Sequence, residues 1–98
     1  PAVAVTADAL GQPIVHLCWM DARAQDGGWD CRYRRKTSTG WDAASTIVNT
    51  LHTATDLNGS GTDYIGVDAR DGHVVVAWPD QRNSATSDQD LYMAKVAG

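Results

Sequence analysis

The segment VHLCWMDAR at residues 15–23 recurs without a gap as VVVAWPDQR at residues 74–82. Downstream, DCRY at 30–33 matches DLYM at 90–93 after a loop that is one residue longer in the second copy. Upstream, AVAV at 2–5 matches YIGV at 64–67. The chain therefore contains two copies of one unit, which is the pattern of a repeat architecture. The first two segments share four residues at matched positions: Val15/Val74, Trp19/Trp78, Asp21/Asp80 and Arg23/Arg82.

The matched runs have the properties of β-strands. Each is short, rich in β-branched or aromatic residues, and bounded by Gly, Asp or Asn. Three such runs occur in each copy, and a fourth is predicted around residues 41–49 of the first copy, whereas the second copy stops at Gly98 before its counterpart. An immunoglobulin-like sandwich also uses seven short strands in about 100 residues, but it has no reason to repeat a Trp-x-Asp-x-Arg motif.

A four-stranded antiparallel unit repeated at this spacing is typical of the blades of a β-propeller. We therefore predict an all-β fold with blade one at residues 1–50 and blade two at residues 51–98, the second blade lacking its outer strand. Two blades alone would expose broad apolar sheet faces. We expect these faces to be covered by oligomerisation or by the rest of a longer chain.

The motifs WMDAR at 19–23, AWPDQRN at 77–83 and DLYMAK at 90–95 resemble those of bacterial sialidase-like propellers, the BNR or Asp-box family. TSTGW at 37–41 stands where that family carries its Asp box, and it keeps a hydroxyl, the Gly and the Trp but lacks the Asp. The resemblance implies a six-bladed propeller, which three copies of this chain would supply. It also implies a secreted or extracellular, lectin-like protein with a carbohydrate partner.

The composition limits the classes of function. A formal net charge of -4 disfavours nucleic-acid and anionic-membrane partners, which need a basic face. No apolar run approaches the roughly 20 residues that cross a bilayer. All 12 acidic residues are Asp, so the Glu-activated Tyr nucleophile implied by the sialidase resemblance cannot be complete, although hydrolysis by two Asp stays formally open.

These observations favour a non-catalytic module that binds carbohydrate or serves as an assembly unit. Two alternatives stay open. The chain could be a fragment of an exo-glycosidase whose catalytic residues lie mostly in missing blades, or a purely structural blade pair.

Candidate ligand-binding residues lie in predicted loops and at strand ends. The resemblance places the repeated Asp and Arg residues on the substrate-facing rim, where a guanidinium could bind a carboxylate in a bidentate manner. The alternative is that a pair repeated in each copy is architectural. Trp29 has no equivalent in the second copy and is predicted to stack on a sugar, while Tyr64 is expected at the same rim. The repeated candidates are Asp21, Arg23, Asp80 and Arg82.

The linker between the copies carries a half-match to a calcium loop. Asp56, Asn58, Ser60 and Asp63 place oxygen-bearing side chains around a Gly, but the twelfth position is Val67 rather than a bidentate acid. The pattern therefore points to calcium as a candidate cofactor, and ordinary turn chemistry is the alternative.

Cys18 and Cys31 are predicted on neighbouring strands of one hairpin. They could form a disulfide or serve as small core hydrophobes, since Ala77 and Leu91 take their places in the second copy. The matched residues Trp19 and Trp78 are predicted in the core or between blades.

Overall fold

A computed structural model describes residues 1–21, 30–48, 65–80 and 90–97. These residues form two antiparallel sheets, one from each sequence copy, so the predicted all-β class is confirmed. The first sheet contains β1 (Ala2–Ala7), β2 (Pro13–Asp21), β3 (Asp30–Thr37), β4 (Gly40–Trp41) and β5 (Thr46–Ile47). The second contains β6 (Gly66–Arg70), β7 (His73–Asp80) and β8 (Asp90–Ala97). We call these sheets the first repeat and the second repeat.

The pairing of the central hairpin matches the sequence repeat. Cys18 of β2 pairs with Tyr33 of β3, and the matched residues Ala77 and Met93 pair in the second repeat. The long hairpin strands of the two repeats are therefore equivalent residue by residue, as the aligned Trp and Asp positions predicted.

The alignment of the first strands is wrong by two residues. Ala2 pairs with Cys18, whereas the residue that pairs with the equivalent Ala77 is Gly66, not the predicted Tyr64. A shift of two keeps every side chain on the same face, because the side-chain period of a strand is two. The cause is the turn: the second repeat closes through Asp71 and Gly72, both at positive φ, whereas the first uses the longer connection 8–12.

The predicted fourth strand of the first repeat is split in two, so this sheet has five strands rather than four. β4 and β5 both pair with β3, and residues 42–45 form the connection between them, in which the amide of Asp42 still donates to the carbonyl oxygen of Arg35. The guanidinium of Arg34 donates from Nε and Nη2 to the carbonyl oxygen of Asp42, at 2.9 and 2.7 Å. This fork occupies a carbonyl that a continuous strand would present to the ladder. Among the described residues, the second repeat has three strands and no outer strand.

One core lies between the two sheets. It combines side chains of β2 and β3 with side chains of β7, and β6 supplies further partly buried contacts. The Sγ of Cys18 lies 3.9 Å from the carbonyl oxygen of Gly66, which shows how closely β2 approaches β6. Both matched tryptophans were predicted to be interior; Trp78 is buried, whereas Trp19 is only half-buried. The buried apolar residues are Cys18, Cys31, Tyr33, Val48, Val74, Val76 and Trp78.

Candidate functional site

Each repeat has two faces that can be named from the matched residues. The tryptophan face carries Trp19 in the first repeat and Trp78 in the second. The opposite cysteine face carries Cys18 in the first repeat and its equivalent Ala77 in the second. Residues that pair in register share a face, so the pairings assign the remaining strand residues to one face or the other.

The two repeats bury opposite faces. In the first repeat the cysteine face is in the core, with Cys18 fully buried and Tyr33 4% exposed. In the second repeat the tryptophan face is in the core, with Val74 and Val76 fully buried. The sheets therefore pack with unlike faces together, in a head-to-tail manner.

This packing leaves a tryptophan face exposed at one end of the molecule and a cysteine face exposed at the other. On the tryptophan face of the first repeat, Val3 and Val5 are 60% and 61% exposed. On the cysteine face of the second repeat, Leu91 and Met93 are 71% and 68% exposed. Exposed apolar side chains that share a sheet face are typical of an interaction surface.

The exposed tryptophan face of the first repeat has two halves. The β1 and β2 half is apolar. The β3 half is basic, because Arg32, Arg34 and Lys36 alternate on this face. In the second repeat, where the same face is buried, Tyr92, Ala94 and Val96 hold the equivalent positions. The exposed face thus carries three cations at positions where the covered face carries three less polar residues, and this half of the exposed face is polar.

A cleft of about 330 Å³ opens on the basic half. Arg32 donates from Nη1 to Ser45 Oγ at 2.8 Å. Its Nη2 lies 3.4 Å from Asp30 Oδ2, and its Nε lies 3.9 Å from Asp21 Oδ2. The Nε of Arg32 is buried and has no hydrogen-bond acceptor within the described part of the chain. The walls of the cleft therefore combine guanidinium donors with an indole. The lining residues are Trp19, Arg32, Arg34, Ala43, Ala44 and Ser45.

The indole of Trp41 lies beside this cleft under two cations. The guanidinium carbon of Arg34 is 5.6 Å from the centre of the ring, and the Nζ of Lys36 is 5.9 Å from it. Both distances are within the range of a cation–π interaction. The side chain of Trp41 is 45% exposed, so this cationic and aromatic group is open to solvent.

The structure describes only part of the predicted ligand site. Asp21 ends β2, where its Oδ2 accepts a hydrogen bond from Trp19 Nε1 at 3.0 Å, so this aspartate helps to hold the indole. Asp80 ends β7 and pairs with Asp90. Arg23, Arg82, Trp29 and Tyr64 lie outside the described residues, as do the calcium-loop residues Asp56, Asn58, Ser60 and Asp63.

Cys18 and Cys31 are both buried, and they are separate thiols rather than a disulfide. They share the cysteine face but are diagonal, because Cys18 pairs with Tyr33 and Cys31 pairs with Met20. Diagonal positions are typically about 7–8 Å apart at Cα, which is longer than most disulfides allow. Burial raises the pKa of the Cys18 thiol and keeps it protonated.

A buried polar network at the inter-sheet core had no counterpart in the sequence prediction. His16 is 1% exposed; its Nε2 lies 2.8 Å from Thr6 Oγ1 and its Nδ1 lies 2.7 Å from the hydroxyl oxygen of Tyr33. Burial, with Arg35 as a second cause, lowers the pKa of His16 below its ordinary value of 6.5. The signal available in the sequence was that His16 stands where the second copy has Val75.

The described residues contain no group of three or more His, Cys, Asp or Glu side chains that could hold a metal ion. In the same part of the chain, no helix has the length and apolar character needed to cross a membrane.

Comparison with protein-family models, with curated proteins and with solved structures found no match to this chain. The likeness to sialidase-like propellers therefore rests on the motifs quoted above.

Proposed function

We propose that the protein is a non-catalytic assembly unit of the sialidase-like propeller type, whose two exposed faces are covered by further sheets of the same kind. The observation that carries this proposal is that the two repeats bury opposite faces. Each repeat offers a cysteine face and a tryptophan face, and one of each is left uncovered at the ends of the pair.

Equivalent strand positions differ in burial between the two repeats. Val3 and Val5 are equivalent to Val67 and Ala69, which pack against the core in the second repeat. The same side-chain positions are therefore partly buried against the core in one repeat and open to water in the other. Burying apolar area is worth about 25 cal/mol per Å², so further sheets that cover these positions would stabilise the molecule.

A tandem of two full chains joined by a flexible linker of about 20 Gly and Ser residues tests this proposal. The linker holds the two copies at a millimolar effective concentration, so that docking is measured at a total protein concentration too low for separate chains to meet. We expect less binding of a hydrophobic dye per chain than in the single chain, and a higher urea midpoint. Unchanged values for both quantities would contradict the proposal.

Recognition of an acidic carbohydrate is the second candidate function, and it is favoured by the cleft beside Trp19, Arg32 and Arg34. The Nε and Nη2 of Arg34 already donate to the carbonyl oxygen of Asp42, so the two guanidinium groups would attract a sugar carboxylate through their positive charge and remaining N–H groups. The indole face of Trp19 would pack on the C–H groups of a sugar ring. This candidate lies on the β3 half of the tryptophan face and does not require the apolar half formed by β1 and β2.

Titration calorimetry with uronic-acid oligosaccharides, and with neutral oligosaccharides of the same length, tests this second function. Selective binding of the acidic sugars supports it if Arg34→Met weakens that binding at least tenfold without changing the circular dichroism spectrum, since Arg34 also holds the carbonyl of Asp42. Arg70→Met is the matched control, because Arg70 is an exposed arginine on the other sheet. Equal binding of both sugars contradicts recognition of the acidic group, and binding of neither removes the carbohydrate function and leaves the purely structural alternative.

A further inference from the structure

We infer that the partner that covers the exposed faces is a second copy of this chain, docked head to tail. The tryptophan face of the first repeat of one copy contacts the cysteine face of the second repeat of the next copy. This inference rests on the proposed assembly function and names its partner.

The interface inside the chain is the template for this contact. There, the cysteine face of one repeat packs on the tryptophan face of the other, with Cys18 and Tyr33 on one side and Val74, Val76 and Trp78 on the other. The exposed ends carry the same two kinds of face. A second copy placed by the same relation repeats the existing contact over the β1 and β2 half of the tryptophan face, whereas on the β3 half Arg32, Arg34 and Lys36 stand where the covered face has Tyr92, Ala94 and Val96.

Matched positions show what the second copy would bury on the cysteine face. Leu91 is equivalent to Cys31 and Met93 is equivalent to Tyr33, since the β7–β8 pairing repeats the β2–β3 pairing. In the first repeat these two positions are at most 4% exposed, whereas Leu91 and Met93 are both more than two-thirds exposed. Large apolar side chains thus stand at positions that the covered repeat keeps in its core.

The contact is heterologous, because it joins two different faces. Each added copy therefore leaves one face of each kind free, and the series ends when a ring closes. An isologous dimer would instead place two identical faces together. A substitution on either face disrupts the heterologous contact, whereas an isologous dimer is disrupted only by a substitution on the one face that it uses.

Two single-face variants separate these arrangements. Val5→Lys places an ammonium on the exposed tryptophan face, and Met93→Lys places one on the exposed cysteine face. Neither side chain is buried inside the chain, so each variant is expected to retain the fold, which circular dichroism checks. Burying an unpaired lysine is costly, and we expect each variant to weaken self-association at least about tenfold.

Native mass spectrometry of the full chain provides the readout. The unaltered protein is expected as a closed oligomer of fixed copy number, and each variant alone as a monomer. Mixing the two variants is expected to restore a one-to-one dimer, because the intact cysteine face of Val5→Lys meets the intact tryptophan face of Met93→Lys. Leu10→Lys is the matched control, since Leu10 is 86% exposed in the β1–β2 turn and belongs to neither face.

Several outcomes would overturn the inference. One is a dimer formed by either variant alone, which indicates like faces in contact, and another is a mixture that stays monomeric. A monomeric unaltered protein at all concentrations also overturns it. If the tandem still shows docking in that case, the assembly function stands, and the exposed faces are covered by sheets joined to this chain rather than by a separate copy.

Discussion

Acidification is expected to destabilise the protein through His16. In the folded state the neutral imidazole hydrogen-bonds to the hydroxyl groups of Thr6 and Tyr33, one ring nitrogen donating and the other accepting. Burial of the ring opposes its charged form. In the unfolded chain the ring is solvated and takes up a proton near pH 6.5. The folded pKa is therefore depressed relative to the unfolded one.

The sign of the pH dependence follows from proton linkage. Because the unfolded state binds the extra proton, the stability from the neutral His16 is fully present above about pH 6.5 and is lost as the pH falls below it. The loss continues until the pH reaches the depressed folded pKa. Its slope approaches about 1.4 kcal/mol per pH unit.

Urea unfolding at fixed protein concentration, followed by tryptophan fluorescence between pH 5 and 8, measures this effect. The double variant His16→Val/Tyr33→Phe removes both partners of the buried pair and should flatten the slope. Val is the residue at the equivalent position 75. His73→Gln, at an exposed histidine, is the matched control and should keep the slope. An equal slope in the double variant, or no slope in the unaltered protein, would refute the role of His16.

Three further tests address other parts of the fold. Trp78→Ala should cost about 3–5 kcal/mol of unfolding free energy, because Trp78 is 2% exposed in the inter-sheet core, and a loss below 1 kcal/mol would contradict that position. Gly72→Ala should lower the unfolding free energy measured in urea by about 1 kcal/mol, because Gly72 has φ +80° in a two-residue turn. Gly66→Ala should leave this free energy nearly unchanged. A thiol reagent should modify Cys18 at least tenfold faster in urea than in buffer, and equal rates would argue against a buried, protonated thiol.

Much of the fold was predictable because strands and turns depend on neighbouring residues. The repeated Trp-x-Asp-x-Arg motif predicted the β2–β3 and β7–β8 hairpins with the correct equivalence of Cys18 with Ala77 and Tyr33 with Met93. The first strands were misaligned because the Asp71-Gly72 turn is tighter than its counterpart, and similarity over four residues cannot measure turn length. The split of the fourth strand coincides with the hydrogen bonds from Arg34 to the carbonyl of Asp42, eight residues further along the chain, and no local pattern indicates that contact.

The sequence predicted only the part of the candidate site whose side chains come from a single strand. The alternation of Arg32, Arg34 and Lys36 is visible in the sequence, but the cleft forms because the β4–β5 connection folds back over them. The buried network of His16, Thr6 and Tyr33 joins three strands, so no local pattern indicates it.

By itself, the sequence determined that this is a two-copy, all-β protein, because strand periodicity and turn residues act over a few positions. The period of two also assigned each strand residue to one of two faces. Only the tertiary structure decided which face is covered, since that depends on how one sheet packs on another. The first repeat buries its cysteine face and the second its tryptophan face, and this opposite burial leaves the unlike ends from which assembly is proposed.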